Sequence, residues 1–176
     1  MVMPDPRTLI ETEAAMNRRI EGLEIDFAAA QTISSIYRAA NAIRAHITNA
    51  VLRQYGLTWS GFVVMWVVWI SDGMETRHVA ESAAISKATL TGVVKTLESR
   101  GWMTRETLVT DRRLVRLRLT RSGIDLMTEL YPKFNAVEST VVQELSARSQ
   151  ARLTRDLRNI VRTLEANEDA EDALGA

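Results

Sequence analysis

The sequence predicts a mainly α-helical fold that contains one small β-hairpin. Apolar residues recur at three- and four-residue intervals over most of the 176 residues, which is the periodicity of amphipathic helices. Apolar and basic residues alternate within residues 114–119, which predicts a strand. With 46% hydrophobic residues, the chain is long enough for one full-sized domain or for one core with an appended dimerisation element.

Composition excludes several kinds of site. The chain has no cysteine, which excludes disulfides, thiolate zinc sites and cysteine redox switches, and it has only two histidines. We therefore expect no metal or other cofactor. The longest apolar run, residues 62–70, is about half as long as a membrane span. The N-terminus lacks the pattern of a signal peptide, so we expect a cytoplasmic protein with no membrane partner.

The first half of the chain predicts two helices after a partly ordered extension with a short helix at residues 9–19. A long helix is expected over residues 27–55, with Gly56 ending it. Thr58 is a suitable N-cap for a second helix over residues 59–70. This second helix is apolar almost all round, so it should be buried on every side.

The middle of the chain predicts a helix-turn-helix. Thr76 can cap a short helix over residues 77–83, and Ser86 can cap another over residues 87–100. Only Ala84 and Ile85 separate them, which is the length of a tight turn.

A β-hairpin, or wing, is expected next, with strands at residues 102–109 and 114–119 and its tip at 110–113. Thr120 can then cap a long helix to about Leu145, and Ser146 opens a final helix. This order predicts a winged helix-turn-helix. The flanking helices have more apolar stripe than one small domain can use, which indicates a helical dimerisation interface. The expected divisions are an extension at 1–25, a dimerisation region at 26–57 and 121–167, a winged helix-turn-helix domain at 58–120, and an acidic tail at 168–176.

The zero net charge of the chain hides an uneven distribution. Residues 76–123 contain ten basic and four acidic residues, a net charge of +6, so the remainder carries −6. A local excess of this kind is typical of a surface that binds an anion such as DNA, although a solvated basic face would have the same composition.

The second helix of the pair has the two faces that a DNA recognition helix needs. Leu90, Val93, Val94 and Leu97 form an apolar stripe that can pack inward. The outward face consists of short polar or basic side chains that can bind bases or phosphates. Its candidate DNA-binding residues are Ser86, Lys87, Thr89, Thr91 and Lys95. Any amphipathic helix has two such faces, so this pattern is weak by itself.

The predicted hairpin carries the stronger signal. An arginine at its tip, Arg113, can enter the minor groove, and Asp111 can orient it or brace the turn. Arg116 and Arg118, expected to be exposed on the strand, and Arg112 are candidate phosphate contacts. The alternative is an ordinary surface hairpin with arginines for solubility.

At this point the chain resembles the winged-helix core of the multiple-antibiotic-resistance regulator (MarR) family of bacterial transcription factors. The resemblance rests on an Asp-x-Arg tip, an alternating strand and a Leu-Thr-x-x-Gly end, present here as Asp111, Arg113, Leu117, Leu119, Thr120 and Gly123. It implies a DNA-binding regulator, with Arg113 in the minor groove and the five residues of the helix facing the major groove. Two positions depart from the family pattern. Ala84 replaces a common glycine, so we expect the turn to differ from that of the family or to be slightly strained. Gly92 replaces a common long basic residue, which removes one candidate base or phosphate contact.

The resemblance also implies a homodimer whose first and last helices form an intertwined helical dimerisation domain. Such a dimer binds a palindromic operator in double-stranded DNA, usually as a repressor. Many members bind a small aromatic or anionic effector that lowers DNA affinity. Candidate ligand-binding residues here are Tyr37, Arg44, Met65, Trp66 and Trp69. Arg44 is expected on the apolar face of the first helix, where a cation needs either a buried carboxylate or a ligand anion. The aromatic residues and Met65 can equally fill the core.

Two other classes of function compete with a DNA-binding regulator. A protein-interaction module of the same fold that no longer reads DNA is the alternative, although Asp111, Arg113 and the basic segment argue against it. An enzyme is not expected, because the sequence shows no nucleophile–base pair, no carboxylate pair and no phosphate-binding glycine loop.

Overall fold

A computed structural model describes residues 22–107 and 115–175, together with Ala14 and Arg19; side chains are described as far as residue 167. The chain divides into two compact units, Met1–Ala42 and Ile43–Ala176. The predicted N-terminal helix and the hairpin tip lie outside the described residues, apart from Ala14 and Arg19, which are helical.

Six α-helices and a three-stranded sheet make up the described ranges, which confirms the predicted mainly α-helical fold with a small β-hairpin. The helices are α1 (Phe27–Ala50), α2 (Trp59–Ile70), α3 (Thr76–Ser82), α4 (Lys87–Ser99), α5 (Arg121–Val141) and α6 (Ala147–Gly175). The strands are β1 (Met74–Glu75), β2 (Met103–Thr107) and β3 (Val115–Leu119), and a 3-10 helix spans Leu52–Tyr55.

The sheet has the order β1-β3-β2 and is antiparallel throughout. Met103 lies opposite Leu119 and Thr107 opposite Val115, so β2 and β3 form the wing. Strand β1 was not predicted, because two residues are too few to show any alternation. It pairs Met74 with Leu117 and so brings the turn after α2 against the wing.

Helix α2 is the centre of the core, as its all-round apolar character predicts. It packs against α3, α4, α5 and β3. Val64, Met65 and Val68 are almost completely buried. Phe62 stacks on Phe134 of α5 with ring centroids 4.2 Å apart, which joins this long helix to the core.

Most predicted helix starts are confirmed. The hydroxyls of Thr58, Ser86 and Thr120 accept hydrogen bonds from the backbone N–H three residues on, at 3.0, 3.1 and 3.0 Å. Ser146 does the same for α6 at 3.2 Å. The predicted cap at Thr76 is wrong. Thr76 is the first residue of α3, and the N-cap position belongs to Glu75, whose extended backbone is set by pairing in β1.

The helix ends differ in detail from prediction. Helix α1 ends at Ala50 and the 3-10 helix follows it, so the expected single helix to Tyr55 is wrong in its last turn. Helix α5 ends at Val141, four residues early, whereas α6 continues to Gly175 through the expected acidic tail.

Four helices end in one and the same backbone motif. Each has a residue with positive φ just after the helix, and the next N–H bonds back five residues. The four are Gly56 (φ 64°), Asp72 (φ 48°), Ala84 (φ 50°) and Gly101 (φ 70°). Alanine is the poorest of these residues at a left-handed position, because its Cβ approaches the carbonyl oxygen. The structure thus confirms that the turn at Ala84 is strained.

Replacing Ala84 with glycine should therefore stabilise the protein. The left-handed conformation costs alanine about 1–2 kcal/mol, and the extra freedom of glycine in the unfolded chain takes back about 0.5–1. We expect a net gain of about 0.5–1 kcal/mol in the free energy of unfolding, measured by urea denaturation at one fixed protein concentration. Ala83→Gly is the matched control: Ala83 has φ −84°, so glycine there should only destabilise. Equal effects of the two substitutions would contradict the strain.

Candidate nucleic-acid interface

Helix α4 is held by a buried apolar stripe and presents its other face to solvent. Leu90, Val94 and Leu97 are 4%, 1% and 2% exposed, and Val93 is half-buried. The helix packs against α2, α3 and β2. Its orientation is therefore set by the core, as the sequence predicts.

All five predicted DNA-binding residues of this helix region are exposed, namely Ser86, Lys87, Thr89, Thr91 and Lys95. The Ser86 hydroxyl is 2.9 Å from the Thr89 hydroxyl, and Thr91 donates to the Lys87 carbonyl at 2.9 Å. The hydroxyls are thus held in place by the helix itself. A hydroxyl retains further lone pairs or a donor, so this surface can still bind bases and phosphates.

Gly92 contributes no side chain to the middle of that exposed face of α4. It is exposed, and no atom lies within 4 Å of the position that a Cβ would occupy. A side chain at this position would therefore meet no neighbouring atom at its Cβ.

The wing arginines Arg116 and Arg118 are half-buried, so the expectation that they are exposed is wrong. Arg116 donates from Nη2 to the carbonyls of Gly73 and Asp72 at 3.1 and 3.4 Å. Arg118 lies with Nε 3.5 Å from Glu106 and Nη2 4.0 Å from Asp72. The cause is β1, which brings the turn after α2 over this face of the sheet. Their role as phosphate contacts stays a prediction.

The remaining wing candidates, Asp111, Arg112 and Arg113, lie outside the described residues. Their roles stay predictions as well. The end of the wing motif lies within the described residues, and the structure explains why Gly123 is needed there. A Cβ on Gly123 would overlap the carbonyl oxygen of Trp102. Leu-Thr-x-x-Gly is therefore a packing motif that joins the end of the wing to the turn after α4.

The predicted ligand residues differ widely in burial. Met65 is fully buried, Trp66 and Trp69 are half-buried, and Tyr37, in the other unit, is 68% exposed. Trp69 packs edge-on against Tyr131 at 5.8 Å. Met65 is thus a core residue, which was the alternative left open by the sequence.

Arg44 is exposed, so its predicted place on the apolar face is wrong. The inward face here consists of Ile43 and Ile47, and at 100° per residue Arg44 lies beyond the edge of that pair. Arg44 instead lines an open groove of about 530 Å³ together with Arg53 and Trp59.

A polar cluster ties the 3-10 helix to α5. Tyr55 donates its hydroxyl proton to Glu129 at 2.8 Å, and the Lys133 ammonium donates to both, at 2.6 and 2.7 Å. These hydrogen bonds raise the pKa of Lys133 to about 12 and lower the pKa of Glu129 below its ordinary value. Lys133 is therefore protonated and Glu129 is ionised at neutral pH.

Neither a metal site nor a membrane span is found in the described part of the chain. No cluster of three or more histidine and acidic side chains there could hold a metal ion. Nor does any helix in those ranges have the length and apolarity needed to cross a membrane.

Comparison with known proteins assigns the chain to a family. The MarR family model matches residues 57–115. The uncharacterized HTH-type transcriptional regulator YwaE of Bacillus subtilis is 33% identical over 145 residues, which are 82% of this chain and 84% of YwaE. The chain belongs to the MarR family. The regulator MgrA of Staphylococcus aureus is also similar, at 24% identity over 79% of this chain and 93% of MgrA.

Solved MarR-type structures have the same fold. Sco3205 of Streptomyces coelicolor, a MarR family regulator solved in complex with DNA, superposes with a TM-score of 0.73 at 21% identity, over 80% of this chain and 93% of that one. BpsR of Bordetella bronchiseptica, whose DNA binding is regulated by 6-hydroxynicotinic acid, gives 0.69 at 24% identity, over 74% and 98%. Membership makes this chain a DNA-binding transcription regulator and not an enzyme, as predicted.

Proposed function

We propose that this MarR-family regulator is a homodimeric repressor that binds a palindromic operator and is released by a small aromatic or lipophilic ligand. The observation that carries the proposal is an apolar stripe left uncovered on α6, in a chain that also exposes the polar face of α4. One surface suits a second copy of the chain, and the other suits DNA.

The stripe on α6 supports the dimer. Its exposed apolar residues are Leu153, Leu157, Val161 and Leu164, with Ile160 half-buried between them. No residue of α6 up to 167 is buried, although the helix is 29 residues long. A helix of this length with an apolar stripe normally depends on packing for its stability. A two-fold partner would cover the stripe, and residues 26–57 and 121–167 would then form the dimerisation region.

Leu157→Glu should separate the dimer into monomers. Removing one buried leucine costs about 2 kcal/mol, and symmetry repeats the effect, so about 4 kcal/mol should weaken dimerisation roughly a thousandfold. Light scattering after gel filtration measures the mass. Asn159→Glu is the matched control, because it introduces the same carboxylate on the opposite side of α6. A dimer that survives Leu157→Glu would contradict this interface.

DNA binding by the dimer would place two copies of α4 in successive major grooves. Two-fold symmetry sets the half-sites about 34 Å apart, one helical turn of DNA, and makes the operator palindromic. The wings would then reach the neighbouring minor grooves with Arg113. The exposed polar face of α4 and the DNA complex of the similar Sco3205 support this arrangement.

Arg113→Ala should weaken binding to DNA from upstream of the protein's own gene by about 10- to 100-fold, without unfolding the protein, because the guanidinium no longer reaches the minor groove. Fluorescence anisotropy measures the affinity. Arg113→Lys keeps the charge but not the guanidinium fork, so it should restore only part of the affinity. Unchanged affinity in Arg113→Ala would refute the wing assignment. If the wild-type protein does not bind DNA, the alternative of a protein-interaction module with the same fold would be favoured.

The groove of Arg44, Arg53 and Trp59 supports an effector site. Two guanidinium groups beside an indole ring suit a flat aromatic carboxylate, which needs a charge partner at one end and an apolar surface at the other. The regulation of the similar BpsR by an aromatic acid supports the same chemical class.

Aromatic acids should raise the melting temperature of the wild-type protein. At about a hundred times Kd, a ligand adds about 2.7 kcal/mol of stability, or a rise of roughly 5–10 °C. Nicotinic, benzoic and 6-hydroxynicotinic acids are suitable probes for a thermal-shift assay. Arg53→Gln should abolish the rise, whereas Arg148→Gln, on an exposed part of α6, should not. No shift with any of them would contradict the site.

A further inference from the structure

A second groove, of about 360 Å³, lies where the recognition helix meets the sheet. Its lining comes from the start of α3, from α4, and from β2 and β3. The lining residues are Thr76, Arg77, Lys87, Leu90, Thr91, Val94, Arg105 and Val115.

Three of these residues are cations and none is acidic. Arg77 comes from α3, Lys87 from the first turn of α4, and Arg105 from the middle of β2. Three positive charges from three separate elements therefore converge on one groove. An anion is the natural occupant of such a site.

The two arginines of the groove, Arg77 and Arg105, each contact a carboxylate. Arg105 has its Nε 3.2 Å from Glu98, and Arg77 has its Nε 3.6 Å from Glu75 and 3.1 Å from Nε2 of His78. These contacts use the Nε edge of each guanidinium. The terminal nitrogens carry four of the five N–H donors, and the contacts leave them for another acceptor.

The register of the wing shows which arginines face α4. Arg105 lies directly opposite Leu117, so the two side chains are on the same face of the sheet. Leu117 is buried in the core, and this is therefore the inner face, where Arg105 lies beside Glu98 of α4. Arg116 and Arg118 alternate with Leu117 and therefore lie on the other face. The arginine that accompanies the recognition helix is thus on β2.

We propose that this groove holds the phosphodiester backbone of DNA, with Arg77 and Arg105 as phosphate contacts. The inference rests on the proposed docking of α4 in the major groove and of the wing in the minor groove. One sugar–phosphate strand separates those two grooves of DNA, so it must pass between α4 and the β2–β3 wing. The cationic groove occupies that place.

The test uses the full-length protein and a random-sequence duplex of about 30 base pairs, because a phosphate contact does not depend on sequence. Arg105→Gln and Arg77→Gln should each lower the affinity about 5- to 10-fold. Each should also reduce the slope of log K against log salt by about 0.9 for every phosphate that the variant no longer binds. Arg155→Gln, on the side of α6 away from the apolar stripe, is the control and should change neither quantity.

Glu98→Gln distinguishes a phosphate contact from a structural role. The carboxylate of Glu98 partly neutralises the charge of Arg105, so replacing it with an amide should strengthen the attraction of Arg105 for phosphate and raise the affinity a few-fold, whereas removal of a merely structural ion pair should not. The gain should vanish in the Arg105→Gln background, as a double-mutant cycle would show.

Wild-type affinity and slope in both arginine variants would overturn the proposal, and so would a weaker affinity that leaves the salt slope unchanged. Failure of the proposed homodimer gives a different result. A monomer that binds DNA would still show a slope reduced by about 0.9 in Arg105→Gln, whereas in a dimer with both subunits engaged the reduction would be about 1.8. The experiment therefore distinguishes failure of the phosphate contact from failure of the homodimer.

Discussion

The junction between the end of the recognition helix and the start of α5 is the constraint on which the DNA-binding unit depends. Thr120 donates its N–H to the Trp102 carbonyl at 3.0 Å and its hydroxyl proton to the Gly101 carbonyl at 2.6 Å. The same hydroxyl caps α5 by accepting from Gly123. Gly123 in turn packs so closely on Trp102 that no side chain fits. One threonine and two glycines therefore fix where α4 ends and where α5 begins.

A second connection between the same helices lies a few residues away. Arg100, just after α4, donates to the Tyr55 carbonyl at 3.1 Å and lies over the Trp102 ring at 4.9 Å. The hydroxyl of Tyr55 belongs to the cluster with Glu129 and Lys133 on α5. The recognition helix is thus held to α5 both by backbone hydrogen bonds and through Tyr55. A shift of α5 within this unit must either carry α4 with it or break these bonds, which is the coupling that the proposed release by a ligand would require.

Local chemistry made much of the fold predictable. Thr58, Ser86 and Thr120 cap helices because their hydroxyls reach the free N–H groups of the first turn, and this depends only on nearby residues. The strain at Ala84 could be inferred for the same reason. Strand β1 and the absence of a cap at Thr76 could not, because both depend on pairing with β3, more than 40 residues away. The prediction for Arg44 was wrong because the periodicity of a single helix does not show where its buried face ends.

The sequence by itself determined the helix-turn-helix, the wing, the family and the exposed face of α4, because periodicity, caps and the wing motif are local and short-range. Only the tertiary structure decided which charged side chains are available. Arg116 and Arg118 bind the turn after α2, whereas Arg77, Lys87 and Arg105 meet in one groove. Alternation along a strand shows that two residues share a face, but not what covers that face. That depends on the partners that folding brings to each side of the sheet.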